Sequence, residues 1–209
     1  MYNKKNSWII RDFGLKSYSD IQDQMKNYII ESKEPALWMG EHPLVITMGA
    51  NASVDDILNH SIKTVRSTRG GLSTLHLPGQ LVFYPIFQLK EFSVHYYVRL
   101  LEQIVIDYLK LIDIEAFTKN GAPGVYTRNG KIASVGLRVS RGWVYHGLSL
   151  NVACTLIAEK YIISCGDPLL KFTSIYEHGF FKSMQDVKKK LTELFLSRAQ
   201  EVIREHQNS

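Results

Sequence analysis

Hydrophobic residues recur along this chain with two different spacings, which separate predicted helices from predicted strands. Steps of three and four residues are typical of one face of a helix, and they mark three stretches, at about residues 18–30, 94–112 and 183–204. Ser17 followed by Asp20 predicts a capping box at the start of the first helix. All three apolar stripes are wide enough to face a hydrophobic core.

Short runs rich in β-branched and aromatic residues lie between these helices and predict strands. Asn129-Gly130 separates two of the runs and predicts a type I′ hairpin turn. Strands and helices are interspersed without strict βαβ alternation, so the sequence predicts an α+β fold with mixed or antiparallel sheets and flanking helices. The predicted strands are residues 36–40, 44–48, 62–67, 81–87, 124–128, 131–139 and 143–152.

Composition and charge narrow the class of protein. The 209 residues are 45% hydrophobic and 22% charged, which suits one globular domain. The net charge of +5 is scattered, and its densest cluster, residues 188–190, lies in a predicted helix, so no nucleic-acid partner is expected. There is no signal-peptide pattern and no run of roughly 18 apolar residues. We therefore expect no attachment to a membrane. We expect a location in the reducing cytoplasm, where both thiols stay free.

One of the two cysteines is a candidate nucleophile. Cys165 precedes Gly166, a residue that favours turns, whereas Cys154 is expected to pack as a small apolar residue. A thiol becomes nucleophilic as the thiolate, which a nearby cation or base stabilises. Lys131 is a candidate for that partner, although spacing alone leaves the pairing a hypothesis.

Residues 69–80 combine glycines, an arginine and a histidine in a turn-rich segment. Paired glycines allow a backbone to approach a ligand closely or to adopt positive φ. Alone, the same pattern is typical of a tight surface turn. Neither the P-loop nor the dinucleotide-binding spacing is present.

Two ionisable residues fall on predicted apolar strand faces. Strict alternation places Lys131 on the side of Ala133, where its side chain would be partly desolvated; alternatively, it extends from the strand end into water. The same alternation places His146 on the apolar face of Leu148. A histidine on an apolar face is more typical of a hydrogen-bonded core residue than of a catalyst. Gly147 lies on the opposite parity, where its small size would leave room for a ligand.

Six segments together resemble the lipoyl(octanoyl) transferases, the octanoyl-[acyl carrier protein]–protein octanoyltransferase family. They occur in the family's order and cover about residues 36–175. Any one of them is a weak signal, whereas six in register are highly specific. The segments are Glu41-His42-Pro43 with Met48-Gly49, residues 69–80, Ala122-Pro123-Gly124-Val125-Tyr126, residues 131–138, residues 146–152, and Cys165-Gly166.

The resemblance implies a two-step acyl transfer in the first step of endogenous lipoate biosynthesis. The family's cysteine falls on Cys165, which would take the octanoyl group from octanoyl-acyl carrier protein as a thioester. The family's lysine falls on Lys131, which would lower the pKa of that thiol and handle protons. The acceptors would be lysines of the lipoyl domains of 2-oxoacid dehydrogenase complexes and of glycine cleavage H protein. No cofactor and no metal are implied, because the donor is already a thioester.

The resemblance also implies a biotin/lipoate protein ligase-like fold for one catalytic domain over residues 1–209. Its substrate-binding segments fall on three parts of this chain, and His146 is a further possible contact. Those segments comprise Arg69, Gly70, Gly71, Leu72, Ser73, Thr74, Leu75 and His76; Ser134, Val135 and Gly136; and Gly147, Leu148 and Ser149.

The sequence departs from the family at a few positions. Leu75 stands where the family usually has Tyr, and Leu77 where it has Gly; Ile163 and Ser164 replace the usual Asn and Pro. The leucines, with Leu72, are hypothesised to wall an acyl tunnel. These changes leave the preferred length of the acyl chain open, whereas they bear less on the type of reaction.

Two other functions compete with the transferase. An ATP-dependent lipoate ligase of the same fold would activate a free acid as an adenylate and would not need a cysteine. A non-catalytic module that binds acyl carrier protein or lipoyl domains would use the net positive charge for docking. Such a module has no chemical reason to retain both Cys165 and Lys131, so the transferase is favoured.

Overall fold

A computed structural model describes residues 8–32, 34–88, 94–154, 160–163 and 166–207. These residues form ten strands and three α-helices. Among them, none of the helices is both long and apolar enough to cross a membrane. The elements are β1 (Ile9–Leu15), α1 (Tyr18–Glu31), β2 (Ala36–Glu41), β3 (Val45–Met48), β4 (Thr64–Arg66), β5 (Ser73–His76), β6 (Gln80–Gln88), α2 (Val94–Lys110), β7 (Phe117–Lys119), β8 (Ala122–Thr127), β9 (Gly130–Ser140), β10 (Trp143–Asn151) and α3 (Met184–Gln207).

The strands form two sheets of mixed direction. The larger has the order β1-β2-β6-β10-β9-β8-β7, and the smaller has the order β4-β3-β5. The pairs β1–β2 and β3–β4 are parallel, and the other pairs are antiparallel. The prediction of an α+β fold with mixed or antiparallel sheets and flanking helices is confirmed.

Strand β6 lies near the middle of the large sheet and separates two hydrophobic layers. Leu81 and Phe83 pack in a core with α2 and α3 on one face, whereas Val82 and Tyr84 pack with α1 on the other. A strand covered on both faces needs a nearly continuous apolar run, and residues 81–87 supply one. The smaller sheet has its own apolar cluster, which includes Ile46 and the buried Cys154.

Two local predictions from the sequence are wrong. The β8–β9 hairpin forms, but Thr127 pairs with Gly130, so Arg128 and Asn129 are the central residues of the turn. A type I′ turn needs positive φ at both central positions, and neither residue has it. Ser17 is the N-cap of α1 but makes no side-chain capping bond.

Candidate active site

A pocket lies among α1, β5, β6, β9 and β10. Most of its lining comes from segments that the sequence predicted to bind substrate. Tyr18 and Tyr84 also line it and were missed, because an aromatic residue on an apolar stripe is typical of a core position. The lining residues are Tyr18, Arg69, Thr74, His76, Tyr84, Ser134, Val135, Gly136, His146, Gly147, Leu148 and Ser149.

Other predicted residues of the 69–76 segment lie beside this pocket rather than on its wall. Gly70 donates its backbone N–H to the carbonyl of Leu137 at 2.9 Å, which joins the segment to β9. Leu75 is buried in the apolar cluster of the smaller sheet, and Leu77 packs against that cluster. These two leucines therefore support β5 from behind and do not line this pocket, and their role in an acyl tunnel stays a prediction. Gly71, Leu72 and Ser73 likewise do not appear in the lining.

Arg69 brings a buried positive charge to the pocket wall. Its side chain is held by Nη2 bonds of 2.9 Å to both the carbonyl and the hydroxyl of Thr47, and by an Nη1 bond of 3.0 Å to the carbonyl of Gly70. Burial and the hydrogen bonds fix the guanidinium in one place. The site therefore presents a fixed cation to a polarised carbonyl or an anionic group.

Three histidines form a buried cluster around the pocket. The His42 ring lies 5.6 Å from the His76 ring, and Tyr18 stacks on His76 at 5.6 Å and on His146 at 6.3 Å. Burial lowers the pKa of His42 to about 4 and, with Arg69 adding to it, the pKa of His146 to about 3. Burial, with the charges of His42 and Arg69, also lowers the pKa of His76 well below its ordinary value. The three rings are therefore neutral at pH 7.

The hydrogen bonds of His76 select its tautomer. The Gln80 amide nitrogen donates to the carbonyl of Leu75 and to Oδ1 of Asn151, so Gln80 Oε1 faces Nδ1 of His76 at 2.7 Å as an acceptor. A neutral His76 must then carry its hydrogen on Nδ1. Its Nε2 has no partner among the described residues, which leaves a buried lone pair beside the pocket.

His146 does not share the apolar face of Leu148, and that prediction is wrong. Its φ is +62°, a left-handed conformation that interrupts the alternation of β10. The ring instead stacks on Tyr145 at 4.9 Å, and its Nε2 lies 3.1 Å from the hydroxyl of Thr68. His146 is buried and hydrogen-bonded, as predicted, but the interruption also places it on the pocket wall.

Lys131 is buried, with only 2% of its surface exposed, so its side chain does not extend into water. Its Nζ donates to the carbonyl of Pro123 at 2.9 Å and lies 5.3 Å from the centre of the Tyr126 ring. The alternation that suggested burial does not hold at this point. A bulge between β8 and β9 inserts Ile132, and both Ile132 and Ala133 face the core.

The predicted nucleophile, Cys165, lies outside the described residues, as does Ser164. Just upstream the chain is hydrogen-bonded at Ile163, and just downstream it passes close to Leu72 at Gly166. Ile163 donates its N–H to the carbonyl of Asp56 at 2.7 Å, and a side chain at Gly166 would meet Leu72 at 3.9 Å. Downstream, the backbone pairs with Lys131, as the N–H of Lys131 donates to the carbonyl of Lys171 at 2.8 Å. Lys131 thus adjoins the segment that follows the cysteine.

The pocket wall thus carries a fixed cation, Arg69, and a neutral histidine, His76, whose Nε2 has no partner in the described part of the chain, whereas Lys131 is not among the residues that line it. Comparison of the whole fold with solved structures gives the class. A lipoate-protein ligase A bound with ATP has a TM-score of 0.76 at 12% identity, covering 93% of this chain and 86% of that one. A biotin protein ligase from Aquifex aeolicus has a TM-score of 0.58 at 16% identity, covering 94% and 70%. The fold is that of lipoate and biotin protein ligases, as predicted.

Sequence comparison narrows the class further. A sequence profile for the lipoyl protein ligase A/B catalytic domain matches residues 20–197. The octanoyltransferase of Legionella pneumophila strain Corby is 38% identical over 196 residues, which are 91% of this chain and 98% of its own. The octanoyltransferase of Buchnera aphidicola subsp. Acyrthosiphon pisum is 35% identical over 192 residues, covering 88% and 90%. The chain belongs to the lipoyl protein ligase A/B catalytic-domain family and, within it, to the octanoyltransferases, which are acyltransferase enzymes.

Proposed function

We propose that this protein transfers an octanoyl group from octanoyl-acyl carrier protein to a lysine of a lipoyl domain, through a thioester on Cys165. Its acceptors include the lipoyl domains of 2-oxoacid dehydrogenase complexes and glycine cleavage H protein. The reaction takes place in the cytoplasm. Similarity to the octanoyltransferases of Legionella pneumophila and Buchnera aphidicola supports octanoyl transfer, and the residues of the site support the route.

In the first step, the Cys165 thiolate attacks the carbonyl carbon of the donor thioester. The new carbon–sulfur bond forms as the bond to the carrier's sulfur breaks, and the departing thiolate takes up a proton. Exchange of one thioester for another is nearly balanced in free energy, so ATP is not required. Lys131, as a buried cation, favours the thiolate that begins this step.

In the second step, the ε-amine of the acceptor lysine attacks the Cys165 thioester. An amide bond forms, the Cys165 thiolate leaves, and the attacking nitrogen loses a proton. Conversion of a thioester to an amide releases free energy and draws the transfer forward. Within the pocket, the lone pair on His76 Nε2 is a suitable acceptor for a donor group of the incoming substrate.

One observation carries this proposal: the backbone N–H and the backbone carbonyl of Lys131 both form hydrogen bonds with the segment that follows Cys165. Its N–H donates to Lys171, and its carbonyl accepts from Thr173 at 3.1 Å. The same strand, β9, supplies Ser134 and Gly136 to the pocket. A lysine so placed supports the assignment of Cys165 and Lys131 as an acyl-transfer pair.

The test is transfer to an isolated lipoyl domain, followed by intact mass. Purified enzyme, octanoyl-acyl carrier protein and lipoyl domain are mixed without ATP, and the domain is expected to gain one octanoyl amide. Cys165→Ala should give none, while Cys154→Ala serves as the matched control and should retain transfer. Octanoylation that requires ATP and free octanoate would instead identify a ligase, and octanoylation by Cys165→Ala would exclude the thioester route.

A further inference from the structure

One peptide bond, between Pro123 and Gly124, is held at both ends by charged side chains. Its carbonyl accepts a hydrogen bond from Lys131 Nζ at 2.9 Å. Its N–H donates to Oε1 of Glu102 at 2.8 Å. The two groups therefore act on a single polarisable unit, and each hydrogen bond strengthens the other.

The end of the Lys131 side chain lies close against the backbone of Gly124. A Cβ added to Gly124 would lie 2.5 Å from Cε and 3.1 Å from Nζ of Lys131. Gly124 also has a φ of +135°, a conformation that side-chain-bearing residues rarely adopt. The lysine side chain therefore packs directly on the glycine backbone, and the orientation of that peptide sets the position of the ammonium group.

Glu102 is an unusual residue for its position in α2. It lies on the core-facing stripe, four residues after Val98 and three before Val105, and only 6% of its surface is exposed. A carboxylate there loses hydration that an apolar residue would not need. Burial raises the pKa of Glu102, which the Gly124 hydrogen bond and the charges of Lys131 and Arg99 oppose. Helix packing does not explain this carboxylate, whereas its hydrogen bond to Gly124 does.

We propose that Glu102 is a positioning residue for the transfer reaction, which holds the ammonium of Lys131 through the Pro123–Gly124 peptide. The carboxylate fixes the N–H of the peptide, and the carbonyl at the other end is thereby kept toward Nζ. Glu102 does not touch the reacting atoms. Its relevance to catalysis rests on the proposed function, whereas its effect on Lys131 does not.

Two variants separate the hydrogen bond from simple packing. Glu102→Gln retains an oxygen that can accept from Gly124, and Glu102→Leu supplies an apolar side chain of similar size for an apolar stripe. Glu102→Ala gives the same readouts if the leucine variant does not fold. Glu115→Leu, at an exposed position, is the matched control.

The first readout is the ¹H–¹⁵N NMR signal of the Lys131 ε-ammonium, assigned by its absence in Lys131→Arg. We expect the signal to remain in Glu102→Gln and Glu115→Leu, and to shift or disappear in Glu102→Leu. The second readout is octanoyl transfer, for which Glu102→Leu should lower kcat about tenfold with little change in KM, as expected for loss of one charge-assisted hydrogen bond. Glu102→Gln should restore most of that rate.

A wild-type NMR signal in folded Glu102→Leu or Glu102→Ala would overturn the proposal. A rate of octanoyl transfer in Glu102→Gln as low as that in Glu102→Leu would also overturn it. If the wild-type protein transfers no octanoyl group, the proposed function fails, but the NMR comparison still decides whether Glu102 positions Lys131.

Discussion

Thr173 donates its backbone N–H to the carbonyl of Lys131 at 3.1 Å, and so joins the segment after Cys165 to strand β9. Gly130 permits this approach, because a Cβ there would lie 2.6 Å from the carbonyl oxygen of Lys171. The lysine is thus tied to the segment beside the cysteine through backbone atoms as well as through its own side-chain contacts. This arrangement makes the reactivity of the thiol a direct test of their pairing.

Replacing Lys131 by Ala should raise the pH at which Cys165 is alkylated by iodoacetamide, because loss of the cation disfavours the thiolate. The rate is measured across a pH series, with the modified peptide identified by mass spectrometry. Lys110→Ala, at an exposed position of α2, is the control and should leave the curve unchanged. A curve for Lys131→Ala that matches the wild type would mean that Lys131 does not tune the thiol.

Cys154 provides an internal reference in the same experiment. It is 3% exposed, and burial raises the pKa of its thiol to about 12. We therefore expect its peptide to remain unmodified below pH 9 while Cys165 reacts. Labelling of both cysteines at equal rates would indicate partial unfolding and would invalidate the comparison.

Gln80→Ala should reduce octanoyl transfer by about tenfold or more, since it removes the buried hydrogen bond to His76 together with those to Leu75 and Asn151. Gln80 fixes the hydrogen on Nδ1 of His76, so its removal allows the tautomer that directs N–H rather than a lone pair toward the pocket. Gln88→Ala, at the exposed end of the same strand, should behave as wild type. Steady-state rates of both variants test this role, and circular dichroism checks that they are folded. A rate for Gln80→Ala equal to that of Gln88→Ala would contradict the role of Gln80.

Gly124→Ala should lower activity more than Gly121→Ala, although both glycines have positive φ. At both positions the positive φ means that the added methyl group strains the backbone, by about 1–3 kcal/mol. A Cβ at Gly121 meets nothing within 4 Å, whereas at Gly124 it would clash with the carbonyl oxygen of Ala133 and would lie 2.5 Å from Cε of Lys131. Thermal unfolding reports the strain at each position together with the clash against Ala133 at Gly124, and transfer rates report the effect on activity. Similar losses of activity in the two variants would mean that displacement of Lys131 has no effect.

The buried histidines should make stability fall in mild acid. Burial lowers the pKa of His146 from 6.5 to about 3 and that of His42 to about 4, so the unfolded chain binds protons that the folded protein excludes. Their contribution is therefore complete above about pH 6.5 and is lost as pH falls toward 4. Each histidine adds about 1.4 kcal/mol per pH unit to the slope in that window.

Denaturant unfolding at several pH values measures this slope. His146→Asn should reduce it by about 1.4 kcal/mol per pH unit, whatever the variant's absolute stability. His60→Asn, at an exposed position, is the control and should retain the wild-type slope. An unchanged slope in His146→Asn would contradict the neutral, buried state of that ring.

Strong periodicity predicted the central elements well, whereas weak periodicity did not. The apolar run at residues 81–87 and the stripe of α2 match the observed strand and helix closely. Strand β1 was missed because Arg11 and Asp12 interrupt it, and such charges are typical of the edge strand it forms. Strand β5 was missed because it lies in a glycine-rich segment that reads locally as a turn.

The sequence motifs predicted which segments meet at the pocket, but not how individual side chains are oriented. The left-handed backbone at His146 and the bulge at Ile132 both change the strand face on which side chains lie. Neither feature has a local signal that periodicity can detect. Glu102 had such a signal, a carboxylate on an otherwise apolar stripe. It gained meaning only when the fold brought α2 to the Pro123–Gly124 peptide.

The most direct test of the proposed route is the intact mass of the enzyme after mixing with octanoyl-acyl carrier protein, without ATP and without any lipoyl domain. We predict a gain of one octanoyl group, removed by hydroxylamine, absent in Cys165→Ala and retained in Cys154→Ala. Absence of an adduct on the wild-type protein, or an unchanged adduct on Cys165→Ala, would contradict acyl transfer through Cys165.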